Sequence, residues 1–130
     1  MELEIFTLAD FAQDNQSKLT IVGTFDSIHS KQFPIAHPSC AIACRLRFGA
    51  SETGEHDFRL RLIDSTGKEV IKPIEGKMQI AENPNGQLTS LNIVINFNQL
   101  KFEKPGRYSF ELHIDGEWKT GLPLFLHQLN

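Results

Sequence analysis

The chain reads as an all-β protein, an antiparallel β-sandwich of seven or eight short strands. Three observations predict it. The stretch L-K-F-E-K-P-G-R-Y-S-F-E-L-H-I-D-G, residues 100–116, runs from a Pro-Gly turn through strict alternation to an Asp-Gly turn. In it Tyr108, Phe110, Leu112 and Ile114 face one way while Arg107, Ser109, Glu111 and His113 face the other. Period two with one apolar face marks a strand lying half in a core and half in water. Second, Gly, Pro, Asn and Asp clusters recur between short apolar runs, the spacing of a sandwich or barrel. Third, no stretch reads as a long helix.

Each element follows from its residues. A first strand is expected near 2–8 (E-L-E-I-F-T-L), although T-L-A-D-F-A-Q suits a helical turn as well. The polar stretch Gln13–Ser17 separates it from a second strand near 18–28, in which Leu19, Ile21, Gly23 and Phe25 share a face. Gly23 signals a bulge or a close backbone approach. Residues 30–39 carry Pro34 and Pro38 and read as a loop. A third strand spans 40–48 (C-A-I-A-C-R-L-R-F) and a fourth 57–64, joined by G-A-S-E-T-G-E. The turn S-T-G-K leads to a short extended piece ending at Pro73, and a fifth strand lies near 75–81. A-E-N-P-N-G-Q has dense turn chemistry. A sixth strand near 88–98 turns Leu91, Ile93, Ile95 and Phe97 inward and Asn92, Asn96 and Asn98 outward. The alternating stretch supplies the seventh. Leu122, Leu124 and Leu126 mark an eighth near 118–127, where Pro123 requires an edge or a bulge.

At 130 residues the chain is expected to form one domain, 1–130. A domain of this size buries roughly two-thirds of its unfolded surface, and ten Phe supply bulk for the core. The formal net charge of −3 gives no general attraction to nucleic acid or anionic membrane, and neither is an expected partner. M-E-L-E-I-F lacks the basic and apolar regions of a signal peptide, and no apolar run approaches the roughly 20 residues of a spanning helix. The expected location is the cytoplasm. Cys40 and Cys44 share a face of one strand, their Cα atoms roughly 13 Å apart, too far for a disulfide. They are expected to be reduced and buried.

Gly106, Tyr108 and Phe110 resemble the corner of immunoglobulin-like domains, where a Gly precedes a Tyr by two and a core residue follows by two. Such a tyrosine ties a loop to its strand through the hydroxyl. Antibody-type domains carry Cys at the last of these positions and Trp on the third strand; this chain has Phe110, and its single Trp118 lies near the end. The resemblance is therefore to an immunoglobulin-like architecture. The chain also resembles, end to end, a family of small uncharacterised bacterial proteins. The residues that carry the likeness are Ile21-x-Gly23-x-Phe25-Asp26-x-Ile28, Phe33-Pro34, Asp64-x-x-Gly67, Pro105-Gly106-x-Tyr108 and Ile114-Asp115-Gly116. That likeness implies a cytoplasmic sandwich and no activity.

Four arginines form the best local signal. Arg45 and Arg47 alternate with apolar residues on the third strand, Arg59 and Arg61 on the fourth. A hairpin centred on Thr53 would put all four guanidiniums on one outer face. Like charges so placed need compensation. A bound anion would supply it; so would Glu111 and Asp115, if the seventh strand adjoins the third. A second constellation is D-S-I-H-S-K-Q-F-P-I-A-H-P, with Phe33 and His37 as candidate interaction residues together with Trp118. His29 and His37 lie too far apart for a tight metal-ligand pair. No G-x-S-x-G, H-E-x-x-H, G-x-x-x-x-G-K-[ST] or G-x-G-x-x-G occurs, so no catalytic residue and no cofactor is expected. The leading expectation is a non-enzymatic interaction module with a protein partner. An anion or small-ligand domain on the arginine face comes next, and a hydrolase or metal enzyme after that. Homodimerisation through an edge strand is compatible with the pattern.

Overall fold

The computed structural model describes residues 1–130. Nine strands and one short 3₁₀ turn, Ala50–Glu52, make up its regular structure. The strands are β1 (Glu2–Asn15), β2 (Lys18–Thr24), β3 (Ser27–Ser30), β4 (Ile35–Phe48), β5 (Gly54–Asp64), β6 (Ile74–Ile80), β7 (Thr89–Phe102), β8 (Gly106–Ile114) and β9 (Glu117–Gln128). They form a four-stranded sheet, β2-β1-β4-β7, and a five-stranded sheet, β3-β9-β8-β5-β6.

Alternation explains how the two sheets meet. From the first sheet β4 sends Cys40, Ile42, Cys44, Leu46 and Phe48 inward. From the second, β8 sends Tyr108, Phe110, Leu112 and Ile114 to meet them. Phe48, Phe102 and Phe110 are wholly buried, and no polar or charged residue is. Each such side chain gains about 1.5–3 kcal/mol over an exposed one. Both cysteines are free and buried, as their spacing requires. Burial pushes the Cys40 thiol up to about 11 and the Cys44 thiol up to about 12.

Two features of the alternating stretch form as read. The Tyr108 hydroxyl donates to the Lys104 carbonyl at 2.6 Å, and its ring meets Phe102 edge-on. Asp115 and Gly116 take φ of 52° and 79°, the two left-handed positions of a two-residue hairpin turn between β8 and β9.

The strand count and the wholly antiparallel order need correction. The expected second strand divides in two. The Phe25 N–H donates to the Leu8 carbonyl in the first sheet, whereas the Asp26 carbonyl accepts from Phe125 in the second. The chain therefore changes sheets at that dipeptide, and β3 enters the five-stranded sheet parallel to β9. The expected 30–39 loop is also shorter, because β4 begins at Ile35. Pro38 fits inside β4 because pairing with β1 starts only at Ala41, which leaves its side of the strand open. The same reasoning places Pro123, which lies before the β3–β9 pairing begins at Phe125.

β1 is a continuous strand to Asn15, with no helical turn, and pairs with β2 through a turn at Gln16 and Ser17, both at positive φ. The end of this hairpin lies against the outer face of the first sheet. There Ala12 joins Ala41 and Ala43, and Leu19, Ile21 and Val94 pack around them. The Asn92 side-chain amide latches the tip, donating to Asp14 Oδ1 at 3.0 Å and to the Ser17 carbonyl at 3.2 Å. No helix is long and apolar enough to cross a membrane.

Candidate functional site

The arginines do not share a face. Although consecutive in the chain, β4 and β5 belong to different sheets: β4 lies between β1 and β7, and β5 between β8 and β6. Each guanidinium has a carboxylate of its own chain. Glu4 serves two of them, meeting Arg45 Nε at 2.7 Å and Arg47 Nη2 at 2.6 Å. Hydrogen bonds from Arg47, then Arg45, hold the Glu4 carboxyl below the usual range. Arg45 also donates to Asn92 Oδ1 at 2.9 Å, which ties it to the hairpin latch. Arg61 Nε meets Glu69 at 2.6 Å and Arg59 Nε meets Glu75 at 3.4 Å. The anion-binding face formed by Arg45, Arg47, Arg59 and Arg61 thus loses its geometric basis. The alternative partners are corrected too. β8 adjoins β5, not β4; Glu111 engages Trp118, and Asp115 engages His56.

The histidine-bearing segment is likewise built into the sheets. His37 lies in β4 with its ring 5.6 Å from that of Phe25. Phe33 is half-buried against the core. His29 stacks on His127, its register partner across β3 and β9, with ring centroids 4.8 Å apart. Nowhere do three His, Cys, Asp or Glu side chains gather as a metal site.

Trp118 remains open. It is 59% exposed, stands opposite His113 in the β8–β9 ladder, and donates from its indole N–H to Glu111 Oε2 at 2.9 Å. Gly121 makes room for that carboxylate: a Cβ there would come within 2.5 Å of Glu111 Oε2. Beside His113, across β5 and β6, opens a groove of about 520 Å³. Asp57, Arg59, Glu75, Lys77 and His113 line it, above Gly76. The charges alternate in sign, and Lys77 bonds both Glu55 at 2.7 Å and Asp57 at 2.9 Å. The Nε2 of His113 is buried with no hydrogen-bond partner. Such a groove suits a polar, mixed-charge ligand surface better than a lone anion. Sequence reasoning found Trp118 and Arg59 but missed His113, whose alternation placed it outward without showing what stood beside it.

His56 lies on the opposite, inner side of β5, its ring 4.9 Å from that of the core residue Phe48. Its Nδ1 lies 2.6 Å from Asp115 Oδ2 and its Nε2 lies 2.6 Å from the Glu52 carbonyl, so both ring nitrogens face acceptors. Only the doubly protonated ring satisfies both. The Asp115 carboxylate, then the Glu52 carbonyl, raises the His56 pKa, while His56 lowers that of Asp115.

Residues 4–127 match the model of a family of unknown function, DUF6941. No curated protein matches the chain. Among solved structures the chain is similar to a crystal structure of a β-glucosidase from Listeria innocua in complex with gluconolactone. The TM-score is 0.51 at 12% identity, over 98% of this chain and 17% of that one. The chain thus spans about a sixth of the enzyme, and at that identity the likeness is one of fold alone.

Proposed function

We propose a binding role for this chain, which belongs to the family of unknown function DUF6941: a non-enzymatic protein-interaction module of the cytoplasm, built on an immunoglobulin-like sandwich. The partner is a protein, and the recognising surface is the outer face of the five-stranded sheet around Trp118. The observation that carries this reading is the exposed indole, braced by Glu111 and bordered by a groove of alternating charge. An exposed Trp already held in one orientation loses little freedom on docking, and buried Trp anchors dominate many interfaces. Complementary charges around such an anchor select the partner. The immunoglobulin-like reading draws on the Tyr108 corner, and the rigid two-sheet frame suits a module that recognises without rearranging.

The test is affinity capture from a native lysate, run in parallel with the wild type, Trp118→Ala, and Lys77→Glu as a charge reversal in the groove. One reproducible protein held by the wild type and lost by both variants is the expected result. Capture that survives both changes removes the surface from consideration, and the absence of any reproducible partner removes the reading.

A further inference from the structure

We infer that the chain forms a two-fold symmetric dimer in which β7 pairs antiparallel with β7 of a second copy, joining two four-stranded sheets into one of eight. Each sheet of the protein ends in open strands, and three of the four carry features that discourage pairing. β3 has four residues. β2 has seven and is interrupted by Gly23 at φ 71°. β6 presents Glu75 and Lys77 and follows Pro73. Short length, backbone irregularity and edge charges are the usual protections against edge-to-edge association.

β7 carries such features only near its C-terminal end, Gln99 at φ 54° and Lys101, and is free of them from Thr89 to Asn98. It runs for 14 residues, pairs with β4 along one side without a break from Thr89 to Asn98, and carries no charged side chain from Thr89 to Leu100. Its inward side chains are also left partly uncovered. Leu91, Ile93 and Ile95 are only half-buried, while their register partners on β4, Leu46, Cys44 and Ile42, are fully buried. The second sheet therefore stops short of the β7 edge, leaving an apolar strip beside a row of unpaired backbone groups.

The strand is also complementary to itself. In an antiparallel pair centred on Val94, Ile93 faces Ile95, Leu91 faces Phe97 and Asn92 faces Asn96. Apolar residues then meet on the core side and asparagines on the outer side, as a two-fold axis demands of one patch used twice. A second copy fits this edge because it supplies the same neutral, apolar-inward pattern. The inference rests on β7 alone and is independent of the Trp118 surface.

Sedimentation over a concentration series tests it, with the full chain and no ligand. The wild type is expected to pass from monomer to dimer. Asn96→Lys combined with Asn98→Lys alters only exposed residues and places charge on the edge; this variant is expected to remain monomeric with an unchanged circular dichroism spectrum. Thr20→Lys, on the β2 edge, is expected to dimerise as the wild type does. A wild type that stays monomeric up to its solubility limit overturns the inference, as does a dimer that survives the β7 lysines or is lost with Thr20→Lys. Should the double variant fail to fold, hydrogen exchange on the wild type decides: β7 amides must gain protection as concentration rises, and unchanged protection overturns the dimer.

Discussion

His56 couples three parts of the chain, through the Glu52 main-chain carbonyl and the Asp115 carboxylate. It joins the turn after β4, the start of β5 and the β8–β9 turn, and its ring packs 4.9 Å from Phe48. Because its pKa in the folded state lies above the ordinary histidine value, this contribution to stability is fully present below the unfolded value near 6.5 and is lost as pH rises through the folded value. Asp115 has the opposite sign: its folded pKa is lowered, so its contribution holds above its ordinary value and fades as pH falls through the folded one. Urea unfolding should therefore show the His56 contribution at pH 6 diminishing toward pH 9. His56→Gln should flatten that slope. A slope equally steep in the variant would assign it to another group. The same scale explains two glycines by the space they leave. A Cβ at Gly76 would collide with the Phe58 ring, so Gly76→Ala should cost about 1–3 kcal/mol through overpacking. A Cβ at Gly121 meets side-chain atoms only, the flexible Glu111 carboxylate first and the Ser109 hydroxyl at 3.3 Å. Gly121→Ala should therefore release the Trp118 indole and raise its mobility, seen in fluorescence anisotropy, with a smaller loss of stability.

Elements were legible where local pattern and neighbourhood agreed. The alternation of Tyr108, Phe110, Leu112 and Ile114, the Asp115-Gly116 turn and the Tyr108 corner could all be read, because each depends on residues a few positions apart. The end of β1 could not. Gln16 and Ser17 make a tight turn at positive φ without the glycine that usually announces one. Ala41 and Ala43 are fully buried on the outer face of their strand because a hairpin distant in sequence packs over them. Pro38 misled in the same way, since its tolerance depends on where β1 begins to pair. The latch that holds the hairpin is one side chain: Asn92 donates twice to the tip and accepts from Arg45. Asn92→Ala should loosen residues 10–24, giving faster amide exchange there while the β8 core amides stay protected. The expected loss of stability is about 1–2 kcal/mol. Uniform acceleration across both regions would mean that the hairpin is not a separate unit.

At the scale of the molecule, sheet membership decided the fate of the arginine site. Strand patterns around Arg45, Arg47, Arg59 and Arg61 were read correctly, but alternation does not tell a hairpin from a crossover between sheets. The same crossovers bind the molecule together. One core cluster contains Phe102, Phe110 and Leu124, another Phe48, Met78 and Ile114. β4 and β8 run through both: Cys40 and Ile42 belong to the first and Cys44 and Leu46 to the second, as Phe110 does to the first and Leu112 to the second. Neither cluster can open without disturbing strands that the other needs, so the protein should unfold as one cooperative unit. Phe102→Ala and Phe48→Ala empty fully buried sites in different clusters. Each should lower the same single transition by about 3–5 kcal/mol, whether followed by far-ultraviolet circular dichroism or by Trp118 fluorescence. Two separated transitions, or probes that disagree on the midpoint, would show that the clusters fold apart and that the shared strands do not couple them.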